Sequence, residues 1–263
     1  MRTNNIWSAG DFSKIAPAAM IVGEVLCDAV PLYAGQRVLD LGCGTGNTAL
    51  AAARRRAQVW GADPVPALLE LARGRAAFEG LEIGFDLGGA EALPYKDGAF
   101  DVVLSSFGLV FCEEQAKAIG EVARVLGPAG KLGFTSWAEG GVTDLLFAKC
   151  IERRPDLASI VVERGWGRLE QIAPWLRPQF GSLRIEHRKF TVRALSVEQW
   201  LSGMKLFLSP VVLAYEGLSE AEAADLDSEL MALGAEHNEA PEHGYFARVP
   251  YFEVHCEKLA AKS

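Results

Sequence analysis

Short apolar runs alternate with longer segments that carry an apolar stripe through the first half of the chain. Residues 38–41 are apolar and β-prone, and 47–56 are rich in helix formers, so a strand passes through a tight turn into a helix. The rhythm then repeats. Residues 58–62 read as a second strand, and Asp63-Pro64-Val65-Pro66 opens a helix carrying Leu68, Leu69, Leu71 and Ala72. A third strand over 81–87 leads into a loop, 88–94. Residues 100–106 form a fourth strand, with the apolar run Val102-Val103-Leu104 at its centre, as a central parallel strand should have. A helix over 113–126 and the turn Gly127-Pro128-Ala129-Gly130 lead to a fifth strand, 131–137. Upstream of all these, 13–29 read as one amphipathic helix with Ile15, Ala19, Val22 and Leu26 on a stripe and Pro17 in the first turn. Alternating strands and helices predict an α/β fold with a Rossmann-like doubly wound sheet, whose ligands bind at the carboxyl ends of the strands.

From residue 138 the pattern changes. Helices are expected around 144–153 and 169–176, then a strand at 182–192, further helices at 197–208 and 219–233, and a last strand at 244–257. The chain therefore divides into an N-terminal arm and helix (1–34), expected to pack at the sheet edge or else to fold over a ligand as a lid, a cofactor-binding core (35–137), and a segment of remaining strands with a helical substrate cap (138–263).

The chemistry concentrates in the first strand and its turn, Asp40-Leu41-Gly42-Cys43-Gly44-Thr45-Gly46. Glycine there permits left-handed backbone angles and lets a ligand approach the main chain. Amides at the start of the next helix are expected to face the ligand as free donors. Asp63 follows at the distance where a second strand offers a carboxylate to ribose hydroxyls, although it can equally cap the next helix. The dinucleotide fingerprint spaces its glycines G-x-G-x-x-G for a pyrophosphate. Here the third glycine comes one residue early and Asp40 precedes the set, which suits a cofactor carrying an ammonium group better than an anion.

This stretch resembles the acidic-x-Gly-x-Gly-x-Gly motif of class I S-adenosylmethionine-dependent methyltransferases. The segment Ala90-Glu91-Ala92-Leu93-Pro94, then Phe100-Asp101-Val102-Val103, and the turn at 126–130 are similar to the ubiquinone and menaquinone C-methyltransferase-like branch. The resemblance covers roughly residues 35–137. It implies a seven-stranded, mostly parallel sheet with an antiparallel edge hairpin. It also implies S-adenosylmethionine as cofactor and S-adenosylhomocysteine as product. The cofactor residues implied are Asp40, Gly42, Cys43, Gly44, Gly46, Asp63, Pro64, Ala90, Glu91, Ser105 and Ser106. Two positions depart from the pattern. Gly89 stands where an aspartate often reaches the adenine amino group, leaving that contact to Glu91, a backbone carbonyl or water. Ala129 replaces a turn glycine, a change expected to be harmless.

Composition narrows the partners. A 263-residue chain with 50% hydrophobic and 23% charged residues can bury a full core. Its formal net charge of −8 argues against a nucleic-acid partner, and Arg54-Arg55-Arg56 reads as a helix end complementing the dipole. Five cysteines without a C-x-x-C pair point to neither a disulfide framework nor a zinc site, and fit a reducing cytoplasm. Acidic residues interrupt the N-terminal apolar stretch, so neither export nor membrane insertion is expected.

Methyl transfer needs a positioned nucleophile and a dry site, and a base only where the acceptor must lose a proton. His237 and His243, in a polar loop, are weak candidates for that base, while His187 and His255 fall on strands. No metal is expected. Phe107, Phe111 and Trp137 are placed on the ligand side, with Trp166, Trp200 and Phe207 in the cap, so the acceptor is expected to be a small molecule with an aromatic or lipophilic body. Two alternatives stay open, an NAD(P)-dependent oxidoreductase and a regulator that binds S-adenosylmethionine without turnover.

Overall fold

A computed structural model describes residues 6–161 and 168–260; Trp166 lies outside the described residues. Seven strands, β1 (Arg37–Leu41), β2 (Gln58–Asp63), β3 (Ile83–Leu87), β4 (Phe100–Ser106), β5 (Leu126–Trp137), β6 (Phe180–Ala194) and β7 (Tyr245–Lys258), form one sheet in the order β3-β2-β1-β4-β5-β7-β6. The first five pair in parallel, and β7 runs antiparallel to both β5 and β6. The expected doubly wound sheet with an antiparallel edge hairpin is the fold observed. Strand order reverses between β1 and β4, and that opens a cleft at their carboxyl ends.

Nine helices surround the sheet among the described residues. They are α1 (Met20–Ala29), α2 (Asn47–Arg54), α3 (Pro66–Phe78), α4 (Gln115–Val125), α5 (Val142–Arg153), α6 (Leu169–Leu176), α7 (Val197–Phe207), α8 (Ser209–Tyr215) and α9 (Glu220–Glu236). Successive strand residues point to opposite faces. Val38, Val102 and Leu104 therefore pack with Leu26 of α1, Ala49 of α2 and Leu69 of α3. Leu39, Val103 and Leu132 pack on the other face with Ile119 of α4 and Ile172 of α6. Helix α2 is buried from Thr48 to Ala53, and its small residues let α1 approach so closely that a Cβ on Gly23 would lie 2.9 Å from the Thr48 hydroxyl oxygen.

Four details differ from the sequence reading. Residues 13–29 are not one helix: two 3-10 turns, Phe12–Lys14 and Ala16–Ala19, precede α1, because Pro17 has no N–H to continue an α-helical ladder. The arm helix packs across the sheet face rather than at its edge. The helix expected at 197–208 is followed at once by one not expected, α8, with Pro210 in its first turn. At the turn 127–130, Leu126 pairs with Phe100 and Lys131 with Val102, so the four residues between bulge out and Ala129 takes φ 54°. A left-handed alanine costs about 1–2 kcal/mol, so the exchange for glycine is not free.

The edge hairpin carries the cap. Pairing of β5 with β7 ends at Trp137 opposite Tyr251, whereas β6 and β7 stay paired for six more residues, to Ala194 opposite Tyr245. At a strand rise near 3.4 Å this overhang runs roughly 20 Å past the end of β5, over the cleft. Helices α5, α7, α8 and α9 pack on it through Leu146, Trp200, Val211 and Leu230. Helix α6, from the same half of the chain, packs on the sheet face beside α4 instead.

Candidate active site

The turn after β1 is built from three left-handed glycines, Gly42 (φ 66°), Gly44 (φ 52°) and Gly46 (φ 85°), each glycine for a different reason. A Cβ on Gly42 would sit 2.7 Å from the Gly108 Cα, so this glycine lets the turns after β1 and β4 pack backbone to backbone. A Cβ on Gly46 would strike Leu50 at 2.8 Å, where the chain swings into α2. At Gly44 the nearest atom is Phe12 Cε1 at 3.8 Å, so the space over this residue is open to a ligand.

Two amides of the loop and helix start are not free donors. The Ala49 amide donates to Asp40 Oδ2 at 2.8 Å, giving α2 the side-chain cap that Gly46 cannot provide. The Gly44 amide donates to Asp63 Oδ2 at 2.8 Å, and the Val65 amide to Asp63 Oδ1 at 2.9 Å. Two carboxylates thus occupy donors that a pyrophosphate would need, and they make the loop a poor anion site. Burial pushes the Asp40 carboxyl up to about 7, the Ala49 amide opposing and Asp63 adding to the rise. Burial also raises Asp63, against the pull of its two amides. The outer side of the loop is held by Arg75 from α3, which donates to Thr45 O, Thr45 Oγ1 and Asn47 Oδ1.

A cavity of about 540 Å³ starts at this loop and continues beneath the hairpin overhang. Its wall includes Asp40, Gly42, Cys43, Gly44, Asp63, Pro64, Ala90, Glu91 and Ser106 of the residues expected for the cofactor, and Phe107, Phe111 and Trp137 of those expected for the acceptor. Gly46 and Ser105 are not on it. Ser105 is fully buried, donating to Leu41 O at 2.6 Å and accepting from the Leu109 amide at 2.8 Å, so it ties the ends of β1 and β4 together. Glu91 accepts from the Glu113 amide at 2.7 Å. Gly89 leaves space, its Cβ position meeting nothing nearer than Glu91 Oε2 at 3.5 Å.

The far part of the cavity is apolar. Phe107 and Trp137 stack face to face at 3.7 Å and 3°. Phe107 takes φ 57°, held by its amide donating to Thr135 Oγ1 at 3.1 Å, a costly conformation for a bulky residue. Trp200 joins this wall, but Phe207 does not. Two polar atoms from residues of the wall, Trp137 Nε1 and the Tyr245 hydroxyl, are sealed from solvent with no hydrogen-bond partner.

The histidines lie elsewhere. His237 sits at the end of α9 with Nδ1 3.0 Å from Leu233 O, and His243 is exposed in the turn that follows; neither lines the cavity. His187 packs edge-on against Phe252, and His255 Nε2 lies 2.9 Å from Glu253 Oε1. Among the described residues, no histidine or lysine faces the cavity and no three His, Cys, Asp or Glu side chains come together as a metal would require. Nor is any helix of the described residues long and apolar enough to cross a membrane. Arg54 and Arg55 of the basic run pair with Glu24, Asp28 and Glu79.

The sequence reading missed Trp7, Phe12 and Ala16, which the arm brings to the cavity, and Tyr245, Met204 and Val249, which the hairpin and α7 bring. It also missed Arg75 and Gly108. A lone arginine on a helix and a lone glycine after a strand carry no local signal of what they will meet.

Residues 38–130 match a family model described as a methyltransferase domain. An uncharacterized protein of Mycobacterium tuberculosis is 32% identical over 237 residues, covering 88% of this chain and 86% of the relative. A demethylmenaquinone methyltransferase from Thermus thermophilus is 40% identical over 135 residues, 46% of this chain and 61% of that protein. Among solved structures, the YcgJ protein from Bacillus subtilis shares the fold with a TM-score of 0.62 at 21% identity, covering 89% of this chain and 96% of its own.

Proposed function

The chain belongs to the class I S-adenosylmethionine-dependent methyltransferases, and from that premise we propose that it methylates a small organic acceptor with an aromatic or lipophilic body by in-line displacement. The observation that carries this reading is the continuity of the cavity, from the two carboxylates of the glycine loop into an apolar chamber walled by Phe107, Trp137, Phe190 and Trp200. A binder without turnover needs no such chamber. The Thermus relative is named for methylation of demethylmenaquinone, an organic acceptor, which agrees in kind.

The residues fit the cofactor. Asp40 pairs with the ammonium group while keeping the Ala49 amide, and the open space at Gly44 takes the chain of the methionine part. Asp63, with one amide on each oxygen, has lone pairs left for ribose hydroxyls. Ala90 and Glu91 lie along the base, and Ser106 and Phe107 flank the transfer side. Bound S-adenosylmethionine supplies an electrophilic methyl on a sulfonium. The aromatic wall orients the acceptor behind it and excludes water, which can supply much of the rate.

Among the described residues, no side chain of the apolar chamber is suited to removing a proton at neutral pH. Burial holds the Cys112 thiol up at about 12 and the Tyr245 phenol above its ordinary range. The acceptor therefore attacks in the protonation state in which it arrives, or loses its proton directly to water at the mouth. The five cysteines are buried and unpaired, in keeping with a reducing cytoplasm. The test is incubation of purified protein with methyl-labelled S-adenosylmethionine and a panel of phenols, amines and quinone precursors, beside protein and RNA. Label in a lipophilic small molecule is expected. Label in protein or RNA alone, or binding without any transfer, overturns the proposal.

A further inference from the structure

We infer that Thr135 is a positioning residue for the acceptor: its hydroxyl oxygen holds Phe107 in a left-handed conformation and so keeps the Phe107 ring stacked on Trp137 as a wall of the chamber. The inference rests on the small-molecule reading above and adds to it a residue that acts from behind the wall. Thr135 is fully buried and does not line the cavity.

Thr135 and Trp137 lie on one face of β5, because side chains alternate along a strand. Thr135 pairs with Ser106, the last residue of β4. The next residue, Phe107, meets both of those side chains: its amide donates to Thr135 Oγ1 at 3.1 Å, and its ring stacks on Trp137 at 3.7 Å and 3°. The same ring meets Tyr251 edge-on at 5.8 Å and Phe190 at 6.3 Å, so it stands at the centre of a cluster of four rings. Phe107, Trp137 and Phe190 of that cluster line the chamber.

A bulky residue does not take φ 57° without contacts that hold it there. Toward the cofactor, the turn after β4 is fixed independently of Thr135. Ser105 Oγ donates to Leu41 O and accepts from the Leu109 amide, and Gly108 packs on the backbone of Leu41 and Gly42. Those contacts tie the turn to the glycine loop, whereas Thr135 ties it to the aromatic wall. A valine would fill the Thr135 site with nearly the same shape, so what the hydroxyl oxygen adds is an acceptor for the Phe107 amide. Without that oxygen the amide is buried and unpaired, which favours a rearrangement that carries the ring off Trp137.

The experiment compares Thr135→Val, which keeps the shape and removes the oxygen, with Thr135→Ser, which keeps the oxygen. Two signals are read from the full chain. One is the near-ultraviolet circular dichroism of the ligand-free protein, with the contribution of the stack identified from Trp137→Phe. The other is the affinity for naphthol of protein saturated with S-adenosylhomocysteine. Thr135→Val should lose the contribution of the stack and weaken naphthol about tenfold, while S-adenosylhomocysteine binds within about twofold of the wild type. Thr135→Ser should keep both signals. A stack and naphthol affinity unchanged in Thr135→Val, a loss that Thr135→Ser shares, or a parallel loss of S-adenosylhomocysteine affinity each overturns the inference. Should Thr135→Val not fold, Phe107→Gly provides the check, since glycine takes left-handed angles unaided. Adding Thr135→Val to Phe107→Gly should change naphthol affinity no further, and a further loss overturns the inference. Wild type that binds S-adenosylhomocysteine but not naphthol overturns the aromatic acceptor, with the dichroism still deciding the role of Thr135. Wild type that binds no S-adenosylhomocysteine overturns the methyltransferase site itself.

Discussion

Asp40 accepts the Ala49 amide and also lines the cavity, so one carboxylate caps α2 and belongs to the proposed cofactor site. Its raised pKa, about 7, links both roles to pH. A carboxyl whose folded value lies above its ordinary one favours the folded state most when protonated. Its contribution is therefore full below about pH 4 and lost as pH rises through 7, so the ligand-free protein gains stability as pH falls from 8 toward 5. Cofactor binding has the opposite dependence, because an ammonium group pairs with the ionised form. Affinity for S-adenosylmethionine should weaken as pH falls below 7, by up to about tenfold per pH unit, and Asp40→Asn should flatten the profile in calorimetric titrations. A second residue-scale expectation concerns Gly44. Gly44→Val should leave a folded protein, destabilised by about 1–2 kcal/mol for a left-handed side chain, that binds no S-adenosylhomocysteine. Unchanged affinity would move the ligand off this loop. Asp63→Ala is the poorer probe, since it strands the Gly44 and Val65 amides and disturbs the fold as well as the site.

At the scale of elements, the glycine loop is rigid because α3 holds it from outside. Arg75 reaches across 30 residues of sequence to Thr45 and 28 to Asn47, and burial lowers its pKa against its charge. Arg75→Met keeps the aliphatic stem and removes the clamp. S-adenosylhomocysteine affinity should fall about tenfold, with a smaller loss of melting temperature, as expected when a loop must be ordered by its ligand. Equal affinity in the variant would show that the left-handed glycines hold the loop unaided. Elements were legible in the sequence wherever their signal was local: β1, β2, β4 and β5 follow from apolar runs, and α9 begins where the sequence placed it, with Ser219 and Glu222 forming a capping box that the structure adds. The turns before α1 and the short helix α8 were less so, because Pro17 and Pro210 fit both a helix start and an interruption.

At the scale of the molecule, the arm and the cap close the cavity from two sides. Trp7 packs on Phe111 at 4.8 Å, and Ser209 Oγ, 200 residues on, donates to Ala9 O at 2.5 Å. Phe12, Ile15 and Ala19 complete the wall. If the arm acts as a lid, saturating S-adenosylhomocysteine should slow hydrogen exchange at residues 6–19 together with residues 42–46. Slowing at 42–46 alone would make the arm a fixed wall. The division into arm, core and cap is therefore a proposal about motion as much as about layout.

The sequence by itself determined the sheet, the glycine turn and the two acidic residues beside it. Each is written in neighbouring residues: period-two or continuous apolarity for strands, glycine where φ must be positive, a carboxylate at a strand end. It also determined that the cofactor end suits a cation better than a phosphate, through Asp40 and the glycine spacing. Only the tertiary structure decided which glycine faces open space, because that depends on Gly108 and Leu50 packing behind the other two. Only it decided that Asp40 takes one amide of the helix start, that of Ala49, and Asp63 one of the turn, that of Gly44. And only it brought Phe12, Trp200 and Tyr245 into one chamber, since the register that carries the hairpin past β5 is set by pairing between distant strands, which no local pattern encodes.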